Sequence, residues 1–435
     1  MDDALLPLTM AAVTLGGILA GYRVAMVLAG SAALFILIGG LPTAFFNLLV
    51  SRIYANVLSN SLLVVVPMFI FMGLILEISG VAERSLRAAQ RALGGSAAGM
   101  GLSVLVIGVL LAASSGIVGA SVVLLALLAM PRLREAGYDK RTSAGLIAAS
   151  GTLAILIPPS VMLIVLADQL QTPVPDMFAG AIGPGLLLVV FYAAFVAWKA
   201  RGLPSLSTTE RMPVWRLLFD LGPLLALVVT VLGSIIAGIA TPTEASGLGA
   251  LGVLFMTIIY GKFSVGVTME AARRTVVTTS MVLFVMIGAT CFSAVFKRIG
   301  GDDIVETAMM SFGSEPLTVL AVVMGAIFLL GFVLDWLEIS LILMPIFGPI
   351  IAGLDFGNGL GPDELLVWFG ILVAVNLQTS FLTPPFGFSL FYLRGAVGDA
   401  LATPDIYRGV IPFIALQLIV LALLILFPGL ITGLI

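Results

Sequence analysis

The stretch NLQTSFLTPPFGFSLFYLRG, residues 376–395, decides how this chain is read. Its surroundings are apolar enough to cross a bilayer, yet two adjacent prolines, Pro384 and Pro385, interrupt it. Proline lacks the N–H that bonds back to the preceding turn, and its ring clashes with a carbonyl one turn earlier. The residues before the break, Asn376, Gln378, Thr379, Ser380 and Thr383, all carry hydrogen-bonding groups. A cut helix exposes carbonyls at one end and N–H groups at the other. The carbonyl end suits a cation and the N–H end an anion. Non-helical backbone at membrane depth survives only where it is buried in protein or lines a cavity. The stretch therefore predicts a membrane helix broken in order to build a site.

The rest of the chain agrees. Its 435 residues are 60% hydrophobic and 10% charged, with mean hydropathy +1.21. A soluble domain of that size cannot hide so much apolar surface. Runs long enough to span recur throughout, without the alternation of an outer-membrane barrel. An all-α polytopic membrane protein is expected, with spans near 4–22, 24–40, 60–80, 142–170, 177–199, 217–240, 244–261, 277–297, 365–395 and 410–433. The start carries Asp2 and Asp3 rather than a basic region, so the first apolar run is read as a span and not as a cleaved signal.

Two apolar stretches, 100–131 and 316–350, are interrupted by AASSG (112–116) and VLDWLE (333–338). Both are predicted to be re-entrant hairpins with tips near the bilayer middle. The basic residues support this. With the N-terminus outside, Arg84, Arg87 and Arg91 share the inner side with Arg132, Arg134, Lys140 and Arg141 only if 100–131 turns back. Lys297 and Arg298 are the main exceptions to the inward bias; they meet either a partner protein or lipid headgroups, and the headgroups are the favoured reading. Residues 41–58 and 262–275 are predicted to be amphipathic arms along the interface.

The halves resemble each other. GILAG (17–21) matches SIIAG (234–238), LLAMP (127–131) matches LILMP (341–345), and LIPPS (156–160) matches LTPPF (382–386), in the same order. Residues 1–205 form one repeat, with arm 41–58, hairpin 100–131 and broken helix 142–170. Residues 206–435 form the other, with arm 262–275, hairpin 316–350 and broken helix 365–395. Five spans and one hairpin per copy is an odd count, which inverts the second copy. Inverted repeats place a transporter's site where their broken helices meet.

The chain has no histidine and a single cysteine, Cys291. That removes His-based metal sites, His triads and an intrachain disulfide, and with them most enzyme chemistry. There is no phosphate loop and no soluble segment long enough for an ATPase, so an ion gradient or a partner must supply the energy. Ser114 and Ser115, with carbonyls around Gly151 and Thr152, form one candidate oxygen cage for Na⁺. Asp335, with Gln378, Thr379 and Thr383, forms the other. The competing reading is that these hydroxyls bond back within their own helices. Asp335 is the sharpest residue, because a mid-membrane carboxylate costs roughly 2.5–3.5 kcal/mol and needs a partner. The anion's candidates are Ser115, Gly116, Ser160, Trp336, Asn376, Ser380, Pro384 and Pro385. Trp336 either lines a chamber or packs, and Glu338 either joins Asp335 or faces water. Glu244 is read as a helix cap, with Thr243 as N-cap.

These motifs resemble a known family. ASSG, AGYDK (136–140), GLIAASGTLAILIPPS (145–160), AGAIGPGLLL (179–188), TPTEA (241–245), FVLDWLEISLILMPIFGPI (332–350) and AVNLQTSFLTPPFGFSLFYLRG (374–395) are similar to the large membrane subunit of TRAP transporters, the tripartite ATP-independent periplasmic carriers. LDWLEI and NLQTSFLTPPFGF depart from the commoner wording and resemble a subgroup carrying 2-oxo acids. The resemblance implies a multi-pass protein of the bacterial cytoplasmic membrane and Na⁺-coupled uptake of an organic acid. It implies delivery by a periplasmic substrate-binding protein, a separate small four-helix membrane subunit, and an elevator motion. Its sodium positions fall here on Ser114, Ser115, Gly151, Thr152, Pro158, Asp335, Thr379 and Thr383. No nucleic acid is involved. The alternatives are a stand-alone carrier of the divalent-anion symporter type, which needs no binding protein, and a channel.

Overall fold

The computed structural model describes residues 2–93, 95–115, 118–204, 214–313, 315–357 and 359–435, and among them there is no strand. The chain opens with α1 (Asp2–Leu19) and α2 (Val24–Ile38), which fold back on each other. A short helix, α3 (Ala44–Ile53), runs through a π-turn at Tyr54–Leu58 and a 3-10 turn at Ser61–Val64 into α4 (Val65–Ile78) and α5 (Val81–Leu93). Then come α6 (Ala97–Ser115) and α7 (Val118–Glu135), packed against each other, and α8 (Lys140–Thr152), α9 (Val161–Leu170) and α10 (Val174–Lys199). Three more long helices follow, α11 (Val214–Ile236), α12 (Pro242–Ile259) and α13 (Val265–Arg298). After α14 (Gly301–Ser311) come α15 (Pro316–Leu330) and α16 (Trp336–Ala352), again in contact. The chain ends with α17 (Pro362–Leu382), α18 (Phe388–Val397), α19 (Thr403–Leu426) and α20 (Gly429–Thr432). Among the described residues seven helical segments are long and apolar enough to cross a membrane.

Burial sorts these helices. In α17 94% of its most apolar window is buried, against 22% in α11. A helix apolar all round and buried all round belongs to a protein interior, whereas an equally apolar exposed helix is a lipid-facing one. Around α17 pack α8, α9, α10, α15, α16 and α19, and α8 and α19 pack closely on each other. Helices α8 and α19 cross at glycine: a Cβ on Gly145 would lie 2.0 Å from the Gly409 carbonyl oxygen, and one on Gly409 would lie 2.1 Å from that of Arg141. Small residues let membrane helices approach backbone to backbone.

Three local expectations are revised. The arm expected at 262–275 is not a separate helix. Residues 265–298 run as one helix of 34 residues, about 51 Å at 1.5 Å per residue, because no proline interrupts them. The cap of α12 is Thr241 rather than Thr243: its hydroxyl accepts from the Glu244 N–H at 3.3 Å while the Glu244 carboxylate accepts from the Thr241 N–H at 2.8 Å. Glu244 thus does cap, as one half of a reciprocal capping box. Residues 81–93, noted in the sequence only for their arginines, form an amphipathic helix that buries Val81, Ser85, Leu86 and Ala89. It is tied to α11 by Arg84 Nε donating to Asp220 at 2.6 Å.

Candidate functional site

Four interruptions surround one cavity of about 160 Å³. The start of α7 contributes Val118 and Gly119, and the start of α9 contributes Val161. The turn before α16 contributes Asp335 and Trp336. The two halves of the helix cut at Pro384 contribute Phe381, Phe388 and Tyr392. The opposite wall is Ile70 of α4 with Thr278, Met281 and Val282 of α13. At roughly 30 Å³ per water the space takes about five waters, or one small solute. Gly119 admits the ring of Tyr392, whose nearest atom would lie 2.9 Å from an added Cβ. Phe381 and Phe388 pack across the break with ring centroids 5.2 Å apart.

Asp335 is the N-cap of α16, its Oδ1 accepting from the Trp336 N–H at 2.8 Å. It is half-buried at the cavity edge, and among the described residues it has no ion pair. Capping explains why an Asp opens this helix. It leaves the second carboxylate oxygen for a ligand. Trp336 lines the cavity. Of the two readings for Glu338, the one facing water is excluded: it is buried at 8% exposure, and its Oε2 has no hydrogen-bond partner.

Gly151 and Thr152 end α8 and are fully enclosed. A Cβ on Gly151 would lie 2.3 Å from Val122 Cγ2, so α7 rests directly on the end of α8. Thr152 Oγ1 donates to Ala149 O at 2.9 Å and accepts from Gln378 Nε2 at 3.3 Å. That second bond joins the two interrupted helices. Gln378 Oε1 is buried without a partner, as are Ser150 Oγ and Ser380 Oγ. Thr379 Oγ1 and Thr383 Oγ1 donate to the carbonyls of Val375 and Thr379, four residues back, at 2.9 and 2.8 Å. These hydroxyls bond within their own helix, as the competing reading had it, and keep lone pairs free to accept. Ser160 precedes α9 and donates to Ile155 O at 2.8 Å.

Asn376 is placed elsewhere. Its Nδ2 donates to Met324 O at 2.7 Å, clasping α15 to α17, and it does not line the cavity. Pro158, Pro159, Pro384 and Pro385 form the two bends, and both Pro–Pro peptide bonds are cis. Ser114 and Ser115 end the α6 backbone, but their side chains, like Gly116, lie outside the described residues. Sequence reading missed Phe381, Phe388 and Tyr392 as cavity walls. An aromatic at i, i+4 after a break is the signal that marks them, since 388 and 392 share one helix face. Among the described residues no group of three or more His, Cys, Asp or Glu side chains could hold a metal.

An all-helical membrane protein whose interrupted helices meet at one cavity has the build of a secondary transporter. The family model described as "Tripartite ATP-independent periplasmic transporter, DctM component" matches residues 9–430, and the chain belongs to that family. It is 30% identical to the isethionate TRAP transporter permease protein DctMQ of Oleidesulfovibrio alaskensis, over 88% of this chain and 59% of that one, so this chain spans well under two thirds of that relative. It is 30% identical to the sialic acid TRAP transporter large permease protein SiaM of Vibrio cholerae over 85% of each chain. The C4-dicarboxylate large permease protein DctM of Pseudomonas aeruginosa is 29% identical over 84% of each. The crystal structure of the Alcanivorax borkumensis YdaH transporter shares the fold, with a TM-score of 0.60 at 15% identity over 89% of this chain and 90% of that one.

Proposed function

We propose that this chain is the transport subunit of a Na⁺-coupled uptake system for an organic acid. A periplasmic binding protein delivers the acid, a small four-helix membrane subunit supports the chain, and the hairpins and broken helices move as an elevator against the outer helices. The observation that carries the reading is the gathering of four interruptions around one cavity. Three of the relatives named above act, by their names, on isethionate, sialic acid or a C4-dicarboxylate. All are acids, which points to an anionic substrate here.

The element order also supports two inverted copies. Helices α1, α2 and α4 followed by α5, the α6–α7 pair, α8/α9 and α10 are echoed by α11, α12 and α13 followed by α14, the α15–α16 pair, α17/α18 and α19. In that comparison the arm α3 and the span α4 correspond to the single long α13.

The residues fit Na⁺. Ser150, Gln378, Ser380 and Glu338 each leave a buried oxygen unpartnered, and oxygen is the donor that a hard cation takes. In this reading Ser114, Ser115, Gly151, Thr152 and Pro158 hold one ion through hydroxyl and carbonyl oxygens. Asp335, Gln378, Thr379 and Thr383 hold the other. Ser115, Gly116, Ser160, Trp336, Ser380 and the Pro384–Pro385 bend face the acid. One net positive charge moving inward gains about 2.3 kcal/mol per 100 mV, and each tenfold Na⁺ gradient adds about 1.4 kcal/mol per ion.

Uptake into proteoliposomes bearing the chain with its partners tests this. Accumulation should need Na⁺ and rise with an inside-negative potential, and Asp335→Asn should raise the Na⁺ concentration for half-activation about tenfold. Voltage-independent uptake, or normal Na⁺ activation in the variant, would remove the assigned coupling.

A further inference from the structure

A larger cavity, of about 490 Å³, lies apart from the hairpin turns. One wall is the end of α3 with the π-turn after it and the far end of α13; the other is the end of α9 and the middle of α16. Helices α13 and α16 line both cavities. Along α16, Trp336 in the one and Pro345 in the other are separated by about 13 Å at 1.5 Å per residue.

The basic-residue pattern places this end outside, where cations are scarce. The cavity nevertheless holds two, Arg52 and Lys297, against one carboxylate, Asp168. Asp168 has its hydrogen bonds from neutral amides, its Oδ1 accepting from Asn60 Nδ2 at 2.7 Å and its Oδ2 from Gln169 Nε2 at 2.8 Å, so neither oxygen pairs with Arg52 and its charge stays. Lys297 is held rigidly, its Nζ donating to Pro345 O at 2.9 Å and standing 3.5 Å from Asp302 at the rim. So Lys297 is not a lipid anchor, as the sequence suggested; it reaches across to α16. Arg52 has no hydrogen-bond or ion-pair partner among the described residues. An unpaired guanidinium presents a planar fork that fits an acid group through two parallel hydrogen bonds. Lys297 is opposed by Asp302 and Asp168 keeps its own charge, so the pull on an anion is local to the Arg52 guanidinium.

We propose that this cavity is a receiving chamber for the substrate's acid group, with the unpaired Arg52 as the contact, on the way to the cavity at the helix breaks. The proposal rests on the transport reading above and adds a second, outer site to it. The chamber selects for a carboxylate or sulfonate head and is indifferent to the rest of the molecule.

Two measurements on the full chain test it. In the first, phenylglyoxal modifies Arg52 in the purified protein, and peptide mass spectrometry reads the rate. Succinate and isethionate should each slow the reaction relative to chloride at equal ionic strength; equal rates in all three salts overturn the proposal. In the second, uptake of the same two acids is measured with the binding protein and small subunit present. Arg52→Gln should raise KM about tenfold, a change of about 1.4 kcal/mol, with kcat unchanged, and Arg52→Lys should recover part of it. An unchanged KM, or a fall in kcat alone, overturns the chamber. So does weaker docking of the unliganded binding protein to Arg52→Gln, which would make Arg52 a protein contact. Failure of the wild-type chain to transport either acid would count against the transport reading, while the labelling still judges the chamber.

Discussion

The two Pro–Pro bends share a motif and differ in their surroundings. At 151–160 the bend is enclosed: only Ile157 is more than slightly exposed, and Ser160 is fully buried. At 382–387 Pro384 is half-buried, Pro385 is exposed and Phe386 is 54% exposed. The closing contacts differ too. In the first, Gly151 is pressed by the side chain of Val122. In the second, Gly387 is pressed by backbone, its absent Cβ falling 2.5 Å from the Phe381 carbonyl oxygen. That same carbonyl accepts from Ser389 Oγ at 2.6 Å. Repeated motifs therefore give one sealed bend and one open bend, and what seals each is a different kind of neighbour.

The largest effect should come from Gly387→Ala. A methyl set against fixed backbone has nowhere to go, and overpacking of this kind costs about 3 kcal/mol. Thermal unfolding in detergent should shift down strongly and uptake should be lost, whatever is changed nearby. A wild-type melting temperature would show that the second bend is not closed by backbone contact.

Gly151→Ala should be milder, about 1 kcal/mol, because its main obstacle is a side chain. Adding Val122→Ala should restore most of the loss. If the double variant is no better than the single one, the two bends do not differ in the way described.

The smallest effect on folding, and the cleanest contrast, should come from labelling in a Cys291→Ser background. Phe386→Cys should react quickly with a water-soluble maleimide, and Ser160→Cys should stay unreactive. Equal reactivity would erase the distinction between sealed and open bends.

Much of the fold was readable because breaks in a membrane helix are chemically loud. Prolines at 158–159 and 384–385, Asp335, and Glu244 three residues after Thr241 each force a local outcome, and the helices end or begin there. Where no such residue stands, the reading erred. The polar face of 262–275 suggested a separate arm, but nothing stops the helix, and it continues to Arg298. Polar residues beside the breaks could be named from the sequence, but not the direction each would point. Gln378 and Thr152 were both named, yet that they bond each other across 226 positions in sequence could not be seen. Asn376, two residues before Gln378, points to α15 instead of the cavity, since successive helix positions turn by about 100°.

By itself the sequence determined that the chain is membrane-embedded and where its helices break. These follow from composition and from local stereochemistry, which need no partner. Only the tertiary structure decided which polar atoms are left unsatisfied, that Glu338 is buried, that one bend is closed while its counterpart is open, and that Arg52 stands unpaired in a second cavity. Each of those depends on which distant helix supplies the neighbour, and contact between segments hundreds of residues apart leaves no periodic mark in either one.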